Sequence, residues 1–280
     1  MTLADTFRYD GKRVLVVGGA TGMGAAGAEL ALAMGAEVTV MDYADIALAG
    51  VAKVKLNLAD KASIDAALAE TDGTFDTVFS CAGVADGTPG IECINFVGHR
   101  YLLEQLVEHG KLGRGGSVCF ISSSAGLGWE PQFAALTELF GIHDFDAAAA
   151  WLRDNNRANY MGTKQAMCAY VAREAFGWLQ QGIRVNAICP GPTDTPLAQA
   201  NRDQWLGSGA DFRAAAGVQA SLPMEQAFPM AFLCSDAASA ITGITLVADL
   251  GWFNSGFVHS FPPATPMASH ILGRSLPKPD

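Results

Sequence analysis

The stretch Val14–Ala26, VLVVGGATGMGAA, decides the fold. Four apolar residues run into Gly18, Gly22 and Gly24, spaced G-x-x-x-G-x-G, and the helical pattern AAGAELALAMG follows at once. A strand that feeds a glycine turn opening a helix is the first unit of a parallel α/β sheet. The glycines also have a chemical reading. A diphosphate at a helix N-terminus is held by backbone N–H groups, at an approach that side chains would block. The competing reading is a glycine-rich turn that binds nothing, and the rest of the chain must choose between them.

Further along, EVTVM, DTVFS, SVCFIS, RVNAIC and ITLVA alternate with longer amphipathic stretches. This rhythm predicts a Rossmann-type, doubly wound parallel sheet covered by helices on both faces. With 280 residues, half of them hydrophobic, the chain suits one α/β domain over 1–280. Two segments break the rhythm. The first, about Leu127 to Ala158, reads as a helical insert. The second, the tail from about Asn254 to 280, contains FPPATP and LPKPD and is expected to be neither regular helix nor central strand.

A net charge of -10 argues against nucleic-acid or anionic-membrane partners, which want clustered Lys and Arg, and leaves small molecules. The six cysteines, at 81, 93, 119, 168, 189 and 234, show no C-x-x-C and no nearby His, so no metal site is expected and the thiols read as small core hydrophobes. The N-terminus lacks the apolar stretch of a signal peptide, and no run reaches the roughly 18 apolar residues of a membrane span, so the expected location is cytoplasmic.

The second strand ends in VTVMDY, placing Asp42 eighteen positions after Gly24. A carboxylate there accepts hydrogen bonds from adenosine ribose hydroxyls and repels a 2′-phosphate, and no basic residue follows until Lys53. NAD is therefore favoured over NADP. The competing reading is an Asp that caps the following turn. Downstream, RANYMGTKQAM (Arg157–Met167) sets Tyr160 and Lys164 one helical turn apart on a common face. A Tyr–Lys pair at this spacing arises by chance often enough to need support from elsewhere.

That support is a series in register: Gly18/Gly22/Gly24, Cys81–Ala82–Gly83, Asn95 in INFVG, Ser123 in ISSSAG, Tyr160/Lys164, and Pro190–Gly191 in PGPTDTP. In this order the chain resembles the short-chain dehydrogenase/reductase family over about residues 11–251. The resemblance implies that Tyr160 exchanges the proton with the substrate oxygen, that Lys164 supplies charge and holds the nicotinamide ribose, that Ser123 hydrogen-bonds the substrate, and that Asn95 anchors a water in the proton relay. It also implies cofactor contacts at Thr21, Met23, Asn57, Leu58, Thr193 and Thr195. Ser123 is chosen over Ser124 as the second Ser of ISS. Departures are Val17 for a Thr, Cys81 for an Asn, Asn57 for an acid and DLG for D-G-G at 249–251; none removes a catalytic group. A free phenol titrates near pH ~10, so a neighbouring cation is needed for work near neutrality.

Asn57 lies fifteen positions after Asp42, too few for a full helix between the second and third strands. Tyr160 lies thirty-six positions after Ser124, where most members have about a dozen. The insert resembles those of the bacterial 3α-hydroxysteroid dehydrogenase/carbonyl reductase and coniferyl-alcohol dehydrogenase branch. Trp129, Pro131 and Phe133 are expected to wall the pocket or else to pack the insert on itself; Leu197 and Trp205 are expected to close over substrate. These walls read as apolar and almost uncharged. The expected activity is NAD(H)-dependent interconversion of a secondary alcohol and ketone on a bulky hydrophobic skeleton, steroid-like first and aryl-propenol second, by a homodimer or homotetramer. The alternative class is a non-catalytic NAD-sensing protein, which would be free to lose Tyr160 or Lys164.

Overall fold

The computed structural model describes residues 3–277. Seven parallel strands form one sheet in the order β3-β2-β1-β4-β5-β6-β7. They are β1 (Arg13–Val17), β2 (Glu37–Asp42), β3 (Ala52–Lys55), β4 (Phe75–Ser80), β5 (Leu112–Ile121), β6 (Arg184–Pro190) and β7 (Thr245–Ala248). Side-chain alternation splits the core between two faces. Val14 and Val16 of β1 join one apolar cluster with Ala28, Val38, Val40 and Met230. Leu15 and Val17 join the other, with Phe96, Leu102, Phe120 and Tyr170. Strands buried on both faces read as continuous apolar runs, which is how they stood in the sequence.

Helices α1 (Gly22–Ala33), α2 (Lys61–Glu70) and α3 (Gly98–Glu108) alternate with the first strands. No helix spans residues 43–51, as the short interval between Asp42 and Asn57 required. The insert forms α4 (Phe133–Phe140) and α5 (Phe145–Asp154), whose Leu136, Leu139, Phe140, Phe145 and Leu152 enter the larger core cluster. The buried Arg100 donates to Leu139 O at 3.2 Å and Ile142 O at 2.7 Å, satisfying carbonyls at the end of α4. The long α6 (Tyr160–Gln180) follows. After β6 come the short α7 (Pro196–Ala200), α8 (Arg202–Trp205) and α9 (Ala210–Ala216), then α10 (Pro223–Cys234). α10 packs closely on α1: a Cβ added at Gly27 would lie 2.6 Å from Met230 Cε.

The tail corrects an expectation. α11 (Trp252–Phe257) and α12 (Thr265–Leu272) are helical despite the prolines. Pro266 occupies the first turn of α12 and Pro262 starts a 3-10 turn, where a missing N–H costs nothing. Residues 278–280, the end of LPKPD, lie outside the described residues. α12 seats Ala268 and Ile271 on Phe253 and on Leu127 of the loop beyond β5.

The register brings the carboxyl ends of the central strands level. Val17 pairs with Met41 on one side and Ser80 on the other, and Ile121 pairs with Ile188. The strand order reverses between β1 and β4, and the crevice beyond the strand ends at such a reversal is where α/β sheets bind ligands.

Candidate active site

Two adjoining clefts open there. The first, of about 590 Å³, is lined by Gly18, Thr21, Gly22, Met23, Gly24, Asp42, Asn57, Leu58, Cys81, Ala82, Gly83 and Thr195. The second, of about 530 Å³, contains Ser123, Tyr160, Lys164, Pro190, Gly191 and Thr193. Met23, Cys81, Gly83, Thr195 and Leu197 belong to both, so the clefts meet along these walls.

The glycine turn is built for close approach. A Cβ at Gly18 would lie 2.4 Å from the Ala82 backbone, and one at Gly24 would lie 2.0 Å from Gly18 O. Gly18 and Gly22 hold φ of 82° and 59°, a region that side chains rarely adopt. Thr21 precedes α1 without capping it, whereas Asp60, Asp144, Asn159 and Thr195 cap α2, α5, α6 and α7 with side-chain oxygens. The first N–H groups of α1 therefore face the glycine-lined cleft uncapped and suited to a diphosphate. Asp42 accepts from Ala20 N–H at 2.8 Å and Ala44 N–H at 2.7 Å, which fixes its carboxylate at the cleft wall. Both sequence readings of Asp42, turn cap and cleft acid, describe the same side chain. Lys53 turns away to donate to Ile46 O, and Lys55 pairs with Asp45. Asn57 Oδ1 accepts from Ala59 N–H and keeps a second lone pair.

In the second cleft, Lys164 is almost fully buried and donates to Ile121 O at 2.9 Å. Burial lowers its ammonium to about 8, with the Cys168, Cys189 and Cys81 sulfurs pulling the other way. Burial pushes the Tyr160 phenol up, and a hydrogen bond with Ser123 pulls it partly back. The sequence reading assigned that downward pull to Lys164. Here Nζ points at Ile121 O, 5.6 Å from the Tyr160 ring centre, and Ser123 provides it instead. Asp86 accepts the Tyr160 backbone N–H, and Asn159 Oδ1 caps α6 at Gly162 N, so α6 is pinned at its start.

Asn95 lines neither cleft. It sits in a π-helical turn, Cys93–Val97, and its amide exchanges two hydrogen bonds with Val84, at 2.8 and 3.0 Å. A Cβ at Gly83 would lie 3.5 Å from Lys164 Nζ and 3.6 Å from Asn95 Oδ1, so Asn95 positions the loop against which Lys164 rests. His99, which sequence reasoning passed over, supports the same loop. Burial lowers it to about 4; the neutral ring donates from Nε2 to Ala82 O and accepts the Ser80 hydroxyl at Nδ1.

Leu197 and Trp205 line the second cleft, and the Trp205 ring centre lies 4.9 Å from that of Tyr160. Trp129 and Pro131 do not line it. Gly128 turns the chain with φ 73°, its backbone so close to Ile271 O that a Cβ would come within 2.4 Å. Trp129 then packs on Phe133 and the larger core cluster, and Pro131 faces a separate recess. Their place in the wall is taken by Met267, His270 and Ile271 of α12, with Trp252. The burial of Ala264, Ala268 and Ile271 follows helical spacing, a signal the prolines obscured. The wall is also more polar than expected, since Asp86, Asn159, Gln204, Ser208 and His270 reach it. Asp86, Asn159 and Ser208 are hydrogen-bonded within the chain. Among the described residues no group of three or more His, Cys, Asp or Glu is placed to hold a metal ion, and no helix is long and apolar enough to cross a membrane.

Residues 145–253 match the family described as enoyl-(acyl carrier protein) reductase. Coniferyl-alcohol dehydrogenase of Pseudomonas sp. (strain HR199 / DSM 7063) is 28% identical, over 86% of this chain and 96% of that protein. The 3-alpha-hydroxysteroid dehydrogenase/carbonyl reductase of Comamonas testosteroni is 31% identical, over 85% of this chain and 95% of that protein. Among solved structures, 3-alpha-hydroxysteroid dehydrogenase from Pseudomonas sp. B-0831 complexed with NADH is similar with a TM-score of 0.66 and 25% identity, over 85% of this chain and 95% of that one.

Proposed function

Since the chain belongs to the short-chain dehydrogenase/reductase family and is an oxidoreductase, we propose that it uses NAD(H) to interconvert a secondary alcohol and ketone on a bulky hydrophobic skeleton. The observation that carries this is the meeting of the two clefts, which sets Tyr160, Ser123 and Lys164 beside the uncapped start of α1. The residues of the first cleft fit a nicotinamide dinucleotide. When bound, it supplies the hydride acceptor for alcohol oxidation and the donor for ketone reduction.

The chain's own groups do the rest. The N–H groups at the start of α1 hold the diphosphate, and the Asp42 carboxylate orients the adenosine ribose and repels a 2′-phosphate. Thr195 Oγ1 accepts from Ala198 N–H, leaving its proton for a phosphate oxygen. Thr193 Oγ1 donates to Gly191 O, leaving lone pairs for a carboxamide. Ser123 hydrogen-bonds the substrate oxygen. Tyr160 takes the carbinol proton in oxidation and returns it in reduction, with the Ser123 hydrogen bond favouring the phenolate.

The apolar surface of Ile121, Met161, Leu197, Trp205, Trp252, Met267 and Ile271 favours ring systems. Steroid-like alcohols come first. Aryl-propenols come second, on the likeness to coniferyl-alcohol dehydrogenase. The assembly is a homo-oligomer: Phe228 and Phe232 of α10 and Leu222 at its N-cap are exposed, as is Ile244 beside the edge strand β7. The test is NADH formation with hydroxysteroids, cinnamyl alcohols, terpenols and polyols. Turnover of the ring alcohols is expected, and turnover of polyols alone would overturn the reading.

A further inference from the structure

Beside the catalytic cleft lies a smaller recess of about 340 Å³, more polar in its lining, around Gln132, Asn155, Asn156, Arg157, Gln165 and His270. Asn159, Met161, His270 and Ile271 are walls of both, so the recess adjoins the cleft across these side chains. Arg157 is the cation there. In a chain with 28 acidic and 18 basic residues, it has no carboxylate within ion-pairing distance among the described residues. Burial alone lowers its pKa, with no acid pulling the other way.

The guanidinium is also held in place. Its Nη2 donates to Gln132 Oε1 at 2.7 Å. Its backbone is clamped against α6, where a Cβ at Gly162 would lie 2.6 Å from Arg157 O, and Asn156 just before it takes a left-handed φ of 56°. A planar fork with most of its five donors free matches a carboxylate in two-point geometry, and its low ordering cost favours binding. His270 carries an N–H in either tautomer and stands on the shared wall.

Resting on the reading above, we infer that Arg157 reads an anionic group at the end of the substrate remote from the carbinol, so that the preferred substrates are ring alcohols or ketones bearing a carboxylate. The apolar cleft selects the skeleton, and Arg157 selects its charged end. This residue acts on substrate binding and takes no part in proton transfer.

The experiment compares a bicyclohexyl alcohol bearing a terminal carboxylate with the methyl ester of the same molecule. Calorimetric titration of the whole protein should show the acid binding on the order of tenfold tighter than the ester, the scale of one charge-assisted contact. Arg157→Gln should abolish that preference and leave ester binding and ester turnover within about twofold of wild type. Arg157→Lys should retain part of the preference. The inference is overturned if the wild-type protein binds the acid no tighter than the ester, if it binds neither, or if Arg157→Gln keeps the preference. The wild-type comparison can overturn the inference even if a variant fails to fold. Turnover separates the two readings: ester turnover without acid preference sinks only the role of Arg157, and acid preference without turnover of either compound sinks only the proposed activity.

Discussion

The Lys164 ammonium lies 5.6 Å from the centre of the Tyr160 ring and is held there by a 2.9 Å hydrogen bond to Ile121 O. This places a cation in a buried position, where its folded pKa of about 8 is below the ordinary 10.5. The neutral form is favoured by folding, so below pH 8 the charged lysine costs stability in full, and between about 8 and 10.5 that cost disappears. The difference is on the order of 3 kcal/mol. Wild-type stability should therefore gain on Lys164→Met as pH rises from 7 to 10. Urea midpoints of the two proteins at several pH values check this, and parallel profiles would contradict it.

Asp42 closes its own turn and still faces the first cleft. Wild type should prefer NAD to NADP in kcat/KM by at least about tenfold, the effect of setting a carboxylate against a 2′-phosphate. Asp42→Ala should narrow the ratio and lower stability through the lost turn bonds. A wild-type preference for NADP would refute the assignment.

The substrate wall gives a paired test. Ile271→Ala removes cleft surface and should raise KM for ring alcohols about five- to thirtyfold with a smaller change in kcat. Trp129→Ala, partly buried against the larger core cluster and away from the cleft, should cost about 1–3 kcal/mol of stability and leave KM within about twofold. Steady-state kinetics beside thermal melts measure both. A KM effect confined to Trp129 would restore the insert as the wall.

The glycine-lined cleft was legible because close backbone approach leaves few choices besides glycine: Gly18 and Gly24 admit no Cβ at all. That Tyr160, Lys164 and Ser123 share one cleft was legible from their residue types and spacing. The substrate half was not. Trp129 and Pro131 are near Ser123 in sequence, yet the reversal at Gly128 turns them away, and Ile271 arrives from 143 positions later. The helical spacing of Ala264, Ala268 and Ile271 marks a buried face but does not say which loop it covers. The tail prolines were read as barriers when they mark helix starts. Asn95 was assigned by type, and only the fold shows its amide committed to Val84.

Association has its own test. Phe232 lies on α10 with its ring stacked on Phe7 at 6.3 Å, and Phe228 on the same helix is 54% exposed. Phe228→Asp should shift the protein toward monomer in light scattering at micromolar concentration, without loss of secondary structure. A wild-type monomer would contradict the assembly.

The central claim is that Tyr160 moves the substrate proton, and Tyr160→Phe tests it most directly because the ring stays and the hydroxyl goes. Turnover of a ring alcohol should fall by at least about a hundredfold, the range for a lost general acid–base group. NADH binding, followed by fluorescence titration of the same sample, should stay within about twofold of wild type. Turnover near the wild-type rate with NADH binding intact would show that the phenol is not the proton-transfer group, and the account of the site would fail.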